Sequence, residues 1–282
     1  MAVTSRPKAT RALALSPLES FVLVLLLLLG AMVAVGPALA PDTVYTSDIL
    51  NALQPPSAEH WLGTDDQGRD VFWRVVVGAR ATLLSALLVV TLYSMIGVAV
   101  ATIAAAGPRW LDETLMRITD LGMALPGMIV ALGLAAALGA SLQSAIIAMS
   151  LTGWPITARI LRAVIRQTSE AQFVSGAQVL GVSKWRLMTR HVLPNSLDVL
   201  IVKWAGDVST TVLVLAGLSF IGVGAQPPSA EWGAMIAAGR SYVATAWWTV
   251  VAPGVAVAVT SIAFGLLGDI IQVRNDPSLR EV

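Results

Sequence analysis

Few side chains in this sequence could take part in covalent chemistry or bind a metal. The 282 residues include no Cys and two His, His60 and His191, which lie far apart in the chain. Without Cys there is no thiolate nucleophile and no Cys-based zinc site, and two distant histidines do not make a His-rich metal site. A nucleotide-binding P-loop needs a Gly-Lys dipeptide, and the sequence has none. We therefore expect no catalytic residue, no metal and no cofactor on this chain.

Three carboxylates stand out because they lie at or near long apolar stretches: Asp120, Asp207 and Asp269. A carboxylate in hydrocarbon is costly, so each should face a partner, a cavity or the membrane interface. They are our candidate residues for a pathway or a helix interface. The alternative is that each is a helix-end charge that reaches the lipid headgroups.

The most informative stretch is residues 170–195, EAQFVSGAQVLGVSKWRLMTRHVLPN, which is basic and lies between long apolar segments. Ser169 followed by Gln172 fits the capping box at the start of a helix. Gly181 suits the left-handed residue just beyond a helix end. This pattern predicts a first short helix over residues 170–180.

A second short helix should follow, capped by Ser183 and stopped by Pro194. The first helix carries apolar side chains at helical spacing, which we expect to form one stripe available for a partner: Phe173, Val174, Ala177 and Leu180. The alternative is an amphipathic helix that rests on anionic lipid headgroups through the basic residues around it.

The composition places these residues in a membrane protein. The chain is 56% hydrophobic and 12% charged, with a mean hydropathy of +0.76, whereas soluble domains carry about 25% charged residues. The block 121–158 would be about 57 Å long as one helix, so we divide it at the weakly apolar residues 139–144. The uncharged stretches then predict six spans of an all-α membrane protein: 20–41, 81–108, two within 121–158, 208–230 and 241–268.

The basic residues set the orientation. Most of the 18 Lys and Arg residues fall in segments that are cytoplasmic if both termini are cytoplasmic. The predicted organisation is then a tail and first span (1–40), an external loop (41–80), a five-helix core (81–270) containing a cytoplasmic loop (159–196), and a cytoplasmic tail (271–282). Alternatively, the N-terminal run ending in Ala38-Leu39-Ala40 is a cleaved signal peptide.

The loop resembles the EAA loop of ABC-importer permeases. Its pattern of EAA, then Gly, then H-I-L-P-N is matched here by residues 173–177, by Gly181 and by residues 191–195. The resemblance implies that the loop is a coupling helix docked on an ATP-binding subunit, with these residues in that role: Phe173, Val174, Ser175, Gly176, Ala177, Leu180, Gly181, Pro194 and Asn195. The Glu of the family pattern falls on Ser175, since Glu170 lies five residues too early.

Other stretches resemble the dipeptide, oligopeptide and nickel permeases, and in particular their C-type subunit. These stretches occur in the same order as in that family and extend over most of the chain. They are HWLGTDDQGRD (60–70), LSFIGVG (218–224), QPP (226–228), EWG (231–233), LGD (267–269) and DP (276–277). In the first of them, Trp61 stands in place of the usual Pro.

This resemblance implies a type I ABC-importer permease fold in the inner membrane of a prokaryote. The partners would be a homologous permease, two ATP-binding subunits that hold ATP and Mg, an extracytoplasmic solute-binding protein and membrane lipid. The substrate would be a di- or oligopeptide, whose ammonium group could pair with Asp207, or else nickel or glutathione. The alternative functions for this chain are an ion-coupled transporter or channel and a membrane scaffold. The net charge of +1 gives no indication of nucleic-acid binding.

Overall fold

The computed structural model describes residues 15–275, and its regular elements are helices. The charged N-terminal tail and the Asp-Pro pair at 276–277 lie outside these residues. The helices are α1 (Pro17–Leu39), α2 (Val71–Ala106), α3 (Arg109–Ala124), α4 (Gly127–Leu138), α5 (Leu142–Ser169), α6 (Gln172–Val179), α7 (Lys184–Leu187), α8 (Leu193–Ser196), α9 (Asp198–Ile221), α10 (Trp232–Gly239) and α11 (Trp248–Asn275). A π-helix, Met188–Val192, joins α7 to α8.

Five helices are long and apolar enough to cross a membrane, namely α1, α2, α5, α9 and α11. Helices α3 and α4 pass the same test only as a pair, and they are bent by 86° at their junction. The described residues therefore contain five spans, or six if the bent pair counts as one. The all-α membrane architecture predicted from the sequence is confirmed.

The predicted turn within 121–158 is present, because α4 ends at Leu138 and Ser141 caps α5 through a bond from the Ser144 N–H. The break between α3 and α4 was not predicted. Pro126 disfavours a helical conformation at the residue before it, and Leu125 is extended, with φ −100° and ψ 142°. Helix α4 has 12 residues, or about 18 Å, so it cannot cross the bilayer alone.

Helices α2 and α9 begin about ten residues before the uncharged stretches from which they were predicted. Asp70 caps α2 by accepting a bond of 3.0 Å from the Trp73 N–H, and Arg74 is buried within the helix. In α9 the charges of Lys203 and Asp207 form an ion pair one turn apart. The predicted starts were set by Arg80, which is exposed inside α2, and by Asp207, which is paired inside α9. Neither charge ends its helix, which is why the uncharged stretches were too short.

The centre of the bundle depends on close approach between α2 and α5. A Cβ on Gly97 would lie 2.8 Å from Cβ of Thr157, and one on Gly153 would lie 2.6 Å from the Tyr93 ring. Small residues at these positions let the two helix backbones approach closely, as is usual in membrane helices. Helix α1 packs on the outside of the bundle, against α2 and α11.

One end of the bundle is closed by residues 41–70 and 222–247, which we call the cap. Arg74 donates hydrogen bonds from α2 to the carbonyl oxygens of Val44, Pro228 and Ser229, at 3.0, 3.3 and 3.1 Å. Trp248, at the start of α11, donates from Nε1 to the carbonyl of Thr64 at 3.0 Å. Side chains of the spans thus hold the loops of the cap in place by donating hydrogen bonds to their backbone carbonyl oxygens.

Glu231 starts the short helix α10 inside the cap. Its carboxylate accepts bonds of 2.9 Å from the N–H groups of Gly233 and Ala234, and it is fully buried. Burial raises the pKa of Glu231, because the charged form loses its hydration. The E-W-G sequence is therefore a buried N-cap that positions α10.

Candidate functional site

The basic segment, defined here as residues 170–196, leaves the bundle at the end of α5. Its first helix begins later than predicted, at Gln172. The capping box was wrong, because Ser169 is the last residue of α5 and its hydroxyl donates back to the Ile165 carbonyl at 2.7 Å. A hydroxyl used inside the preceding helix is not free to cap the next one.

The turn inside the basic segment was predicted correctly. Gly181 has φ +80°, a left-handed conformation that favours glycine. A Cβ there would meet nothing within 4 Å, so conformation rather than space explains the glycine. Ser183 caps α7 by accepting a bond from the Arg186 N–H at 3.4 Å.

The prediction that Pro194 stops the second helix was wrong. The chain widens into the π-helix Met188–Val192 and continues as α8, with Pro194 in its first turn. Proline is tolerated in a first turn because its missing N–H has no helical acceptor there. The Asn195 side chain donates to the carbonyl of His191, so the Pro-Asn pair shapes a bend that returns the chain to α9.

The apolar stripe predicted on the first helix is divided between two faces. Val174 is fully buried and Ala177 is partly buried in a cluster formed with the ends of α2 and α5. The other members of that cluster include Ala101, Leu161, Ile165, Leu187, Met188 and Val192. Part of the stripe therefore anchors the segment to its own chain and is not available to a partner.

The opposite face is exposed and apolar. Phe173, Val179, Leu180 and Trp185 have exposed fractions of 51%, 89%, 84% and 70%; we call these four residues the exposed apolar face. Sequence reasoning identified Phe173 and Leu180 but missed Val179 and Trp185. The signal for Trp185 was present, since a large apolar side chain in a basic loop outside the spans indicates a surface that contacts another molecule or the membrane.

Ser175 and Gly176, which align with Glu and Ala of the EAA pattern, are also exposed. A Cβ on Gly176 would meet nothing within 4 Å. Neither residue packs against the rest of the chain, and both are accessible to another molecule.

Charged side chains connect α5 to α3 just before the basic segment. Asp112 of α3 is 4% exposed and accepts hydrogen bonds from Arg162 and Arg166 of α5. A second ion pair joins Asp120 to Arg159 between the same two helices. Sequence reasoning missed Asp112, although three arginines at helical spacing on α5 signalled a charged face that needs acidic partners.

The structure does not bring the three candidate pathway carboxylates together. Asp120 pairs with Arg159, Asp207 pairs with Lys203 on α9, and Asp269 is exposed on α11. The ammonium group of Lys203 also lies 5.7 Å from the centre of the Tyr93 ring. Asp207 is therefore neutralised by its own chain, so the expected pairing with a substrate ammonium group is not supported. Within residues 15–275 no group of three His, Asp or Glu side chains could hold a metal ion.

Comparison with known proteins gives a consistent result. Residues 94–281 match the family model described as binding-protein-dependent transport system inner membrane component. The chain is 40% identical to the probable D,D-dipeptide transport system permease protein DdpC of Escherichia coli (strain K12), over 93% of this chain and 88% of that protein. It is 37% identical to the dipeptide transport system permease protein DppC of Alkalihalophilus pseudofirmus, over 87% of this chain and 81% of that protein.

The fold is also similar to a solved structure. A chain of the MetNI methionine ABC transporter, in an inward-facing conformation, superposes with a TM-score of 0.59. The alignment covers 72% of this chain and 96% of that chain, at 17% sequence identity. At that identity the likeness concerns the fold.

Proposed function

The chain belongs to the family of binding-protein-dependent transport system inner membrane components, and from that membership we propose that it forms half of the translocation path of an ATP-driven peptide importer. It is a multi-pass inner-membrane protein and a transport subunit rather than an enzyme. The substrate proposal rests on relatives about 40% identical over most of the chain that are described as dipeptide or peptide permeases.

The exposed apolar face is the observation that carries the rest of the proposal. Its four side chains lie on a segment that is itself anchored by the buried side chain of Val174. A rigidly held apolar patch in water is typical of a docking surface. Because the chain has no P-loop, we propose that this face binds an ATP-binding subunit, which holds ATP and Mg.

The arginines around the basic segment support a cytoplasmic location for it. Arg186 and Arg190 lie within the segment and Arg159, Arg162 and Arg166 lie just before it, and positive charge near span ends favours the cytoplasmic side. Both termini would then be cytoplasmic, and the cap would face the extracytoplasmic side, where a solute-binding protein could deliver substrate.

The mechanism we propose is alternating access. A second, homologous permease subunit would complete the path, and two ATP-binding subunits would move together on binding ATP. That movement can change the spans only if the docked segment makes different contacts in the two states. The anchored α6 would carry the movement, because its inner face packs against the ends of α2 and α5 and its outer face is free to bind.

Uptake by the purified complex tests this function. The complex of both permeases and both ATP-binding subunits, reconstituted in liposomes with its binding protein, should accumulate a radiolabelled dipeptide only when ATP is present. Competition by unlabelled dipeptides, longer peptides, glutathione and nickel would then rank the substrate classes. Accumulation of nickel or glutathione in place of peptide would contradict the substrate proposal, and uptake without ATP would contradict the ATP-driven mechanism.

A further inference from the structure

Asp112 is the most enclosed carboxylate near the basic segment, and the coupling proposed above does not yet include it. Arg162 donates to both of its oxygens, from Nε and Nη2, and Arg166 adds a bond from Nη2 to Oδ2. Two guanidinium groups from one helix thus hold one carboxylate from another. Planar, two-pronged contacts of this kind fix orientation as well as distance.

The two arginines lie between the basic segment and a proline within α5. Pro155 is inside α5, and since proline has no N–H, the carbonyl one turn earlier loses its helical donor. Between the two arginines, Ile165 packs in the same buried cluster as Val174 of α6. The part of α5 after Pro155 is therefore connected to the basic segment by packing and to α3 by charge.

Helix α3 ends close to this proline. It ends at Ala124, and the extended Leu125 and Pro126 separate it from α4. A Cβ on Gly122 would lie 2.9 Å from the ring of Pro155, so the end of α3 and the proline of α5 lie close together. Asp112 lies about three turns before Gly122, toward the start of α3, and so faces the part of α5 that follows Pro155.

We propose that Asp112 is a positioning residue that joins α3 to the end of α5, so that both move as one body about Pro126 and Pro155 when the basic segment moves. This inference rests on the proposed function. The exposed ion pair between Arg109 and Glu113 lies within α3 and connects no second helix. It therefore has no part in this movement.

The test compares Asp112→Asn with Glu113→Gln, a neighbouring change that also removes one carboxylate from α3. Each complex is reconstituted, and peptide uptake, ATP hydrolysis and the amount of bound ATP-binding subunit are measured. Asp112→Asn should lower the peptide transported per ATP hydrolysed by about five-fold, the scale of a mutation within a coupled network. Glu113→Gln should leave this ratio unchanged, and both should retain the ATP-binding subunit.

A cross-linked variant separates transmission of movement from folding. The chain has no Cys, so Asp112→Cys with Arg162→Cys gives one defined pair when the partner subunits are also free of Cys. A short bifunctional thiol reagent that is cleaved by reduction should restore the transport ratio when it joins the two cysteines. Reduction should remove that gain in the same sample, in which folding and assembly are unchanged.

Two results would overturn the inference. One is an Asp112→Asn ratio equal to that of Glu113→Gln, and the other is a cysteine pair whose ratio does not change on cross-linking. Loss of the ATP-binding subunit from Asp112→Asn would also contradict it, because Asp112 would then serve assembly. Failure of the proposed function itself is recognised separately, as absence of ATP-dependent uptake in the unmodified complex.

Discussion

At the cap, loops and spans are joined by buried hydrogen bonds, whereas the basic segment is joined to the bundle by apolar packing on one face. Both ends leave large apolar side chains exposed, Ile49, Leu50 and Trp61 at the cap and the exposed apolar face at the basic segment. Arg74, Glu231 and Trp248 make the cap bonds, and each has its partners within this chain. The exposed apolar face has no such partners among the described residues. These hydrogen bonds of the cap are made within one chain, whereas the exposed apolar face is the surface that we propose binds a second molecule.

The difference also separates two kinds of residue. A side chain in the cap contributes to stability, so changing it should affect the folded state whether or not partners are bound. In the proposed docking, a side chain on the exposed apolar face contributes to assembly, so changing it should affect the complex and leave the isolated chain intact. Variants at the two ends can therefore be compared by measuring stability and assembly on the same samples.

Arg74→Ala should have the largest effect, on stability. It leaves three carbonyl oxygens without their donor, those of Val44, Pro228 and Ser229. Loss of one side of a buried charged network costs about 3–5 kcal/mol, which corresponds to a fall in melting temperature of about 10 °C for a domain of this size. Thermal unfolding in detergent measures it.

The matched control is Arg80→Ala on the same helix, where the side chain is exposed. Its melting temperature should stay within the small range of surface substitutions. Equal melting temperatures for Arg74→Ala and Arg80→Ala would show that the hydrogen bonds of Arg74 do not stabilise the cap.

Leu180→Asp should have the next largest effect, on assembly. A charge placed in an apolar docking surface should weaken binding of the ATP-binding subunit by about 3 kcal/mol, or about 100-fold. Because Leu180 is exposed, the melting temperature of the isolated chain should not change. Pull-down of the ATP-binding subunit and thermal unfolding together measure both effects.

Val174→Asp places the same charge on the opposite face of α6. Val174 is buried against the chain's own cluster, and an unpaired buried charge is strongly unfavourable. This variant should therefore make the basic segment sensitive to protease even without partners. Equal protease resistance of Val174→Asp and Leu180→Asp would contradict the assignment of Val174 to a buried face and Leu180 to an exposed one.

Gly181→Ala should have a smaller effect, limited to the turn. A residue with a Cβ pays about 1 kcal/mol for the left-handed conformation at φ +80°. No clash is expected, so amide hydrogen exchange in α6 should become about five-fold faster. Gly181→Asn is the control, because asparagine tolerates this conformation better, and an exchange rate as fast as that of Gly181→Ala would argue against conformational strain.

The architecture was predictable from the sequence because apolar length alone identifies spans. Each long helix overlaps a predicted stretch, but α2 and α9 begin about ten residues earlier, where Arg74 and Lys203 lie inside the helix, and α11 begins later than predicted, at Trp248. The sequence shows a charge and does not show whether the fold supplies a partner for it. The charges that set the predicted starts, Arg80 and Asp207, both lie inside their helices, the first exposed and the second paired with Lys203.

The basic segment was predictable only where a signal is local. Gly181 and Ser183 act through their own backbone and one neighbouring turn, and both predictions were confirmed. The stripe was divided because the cluster around Val174 comes from distant parts of the chain, which periodicity cannot reveal. Asp112 was missed for the same reason, since its partners are 50 and 54 residues away in sequence.

Ser175→Glu should have the smallest effect and completes the comparison. It introduces the acidic residue that the EAA pattern has at this position, on an exposed site that does not pack against the chain. Stability should therefore be unchanged. If the ATP-binding subunit presents a cation there, an exposed ion pair adds up to about 1 kcal/mol, so affinity should rise by up to about five-fold, and more strongly at low salt.

Ser175→Gln is the control for Ser175→Glu, since it has nearly the same size and no charge. A gain in affinity that is equal for both variants, or independent of salt, would mean that contact area and not charge is responsible. A gain that appears only with Glu and falls with salt would show that the ATP-binding subunit presents a cation opposite position 175, where Ser175 offers it no charge. The basic segment would then be recognised here mainly by the shape of its exposed apolar face.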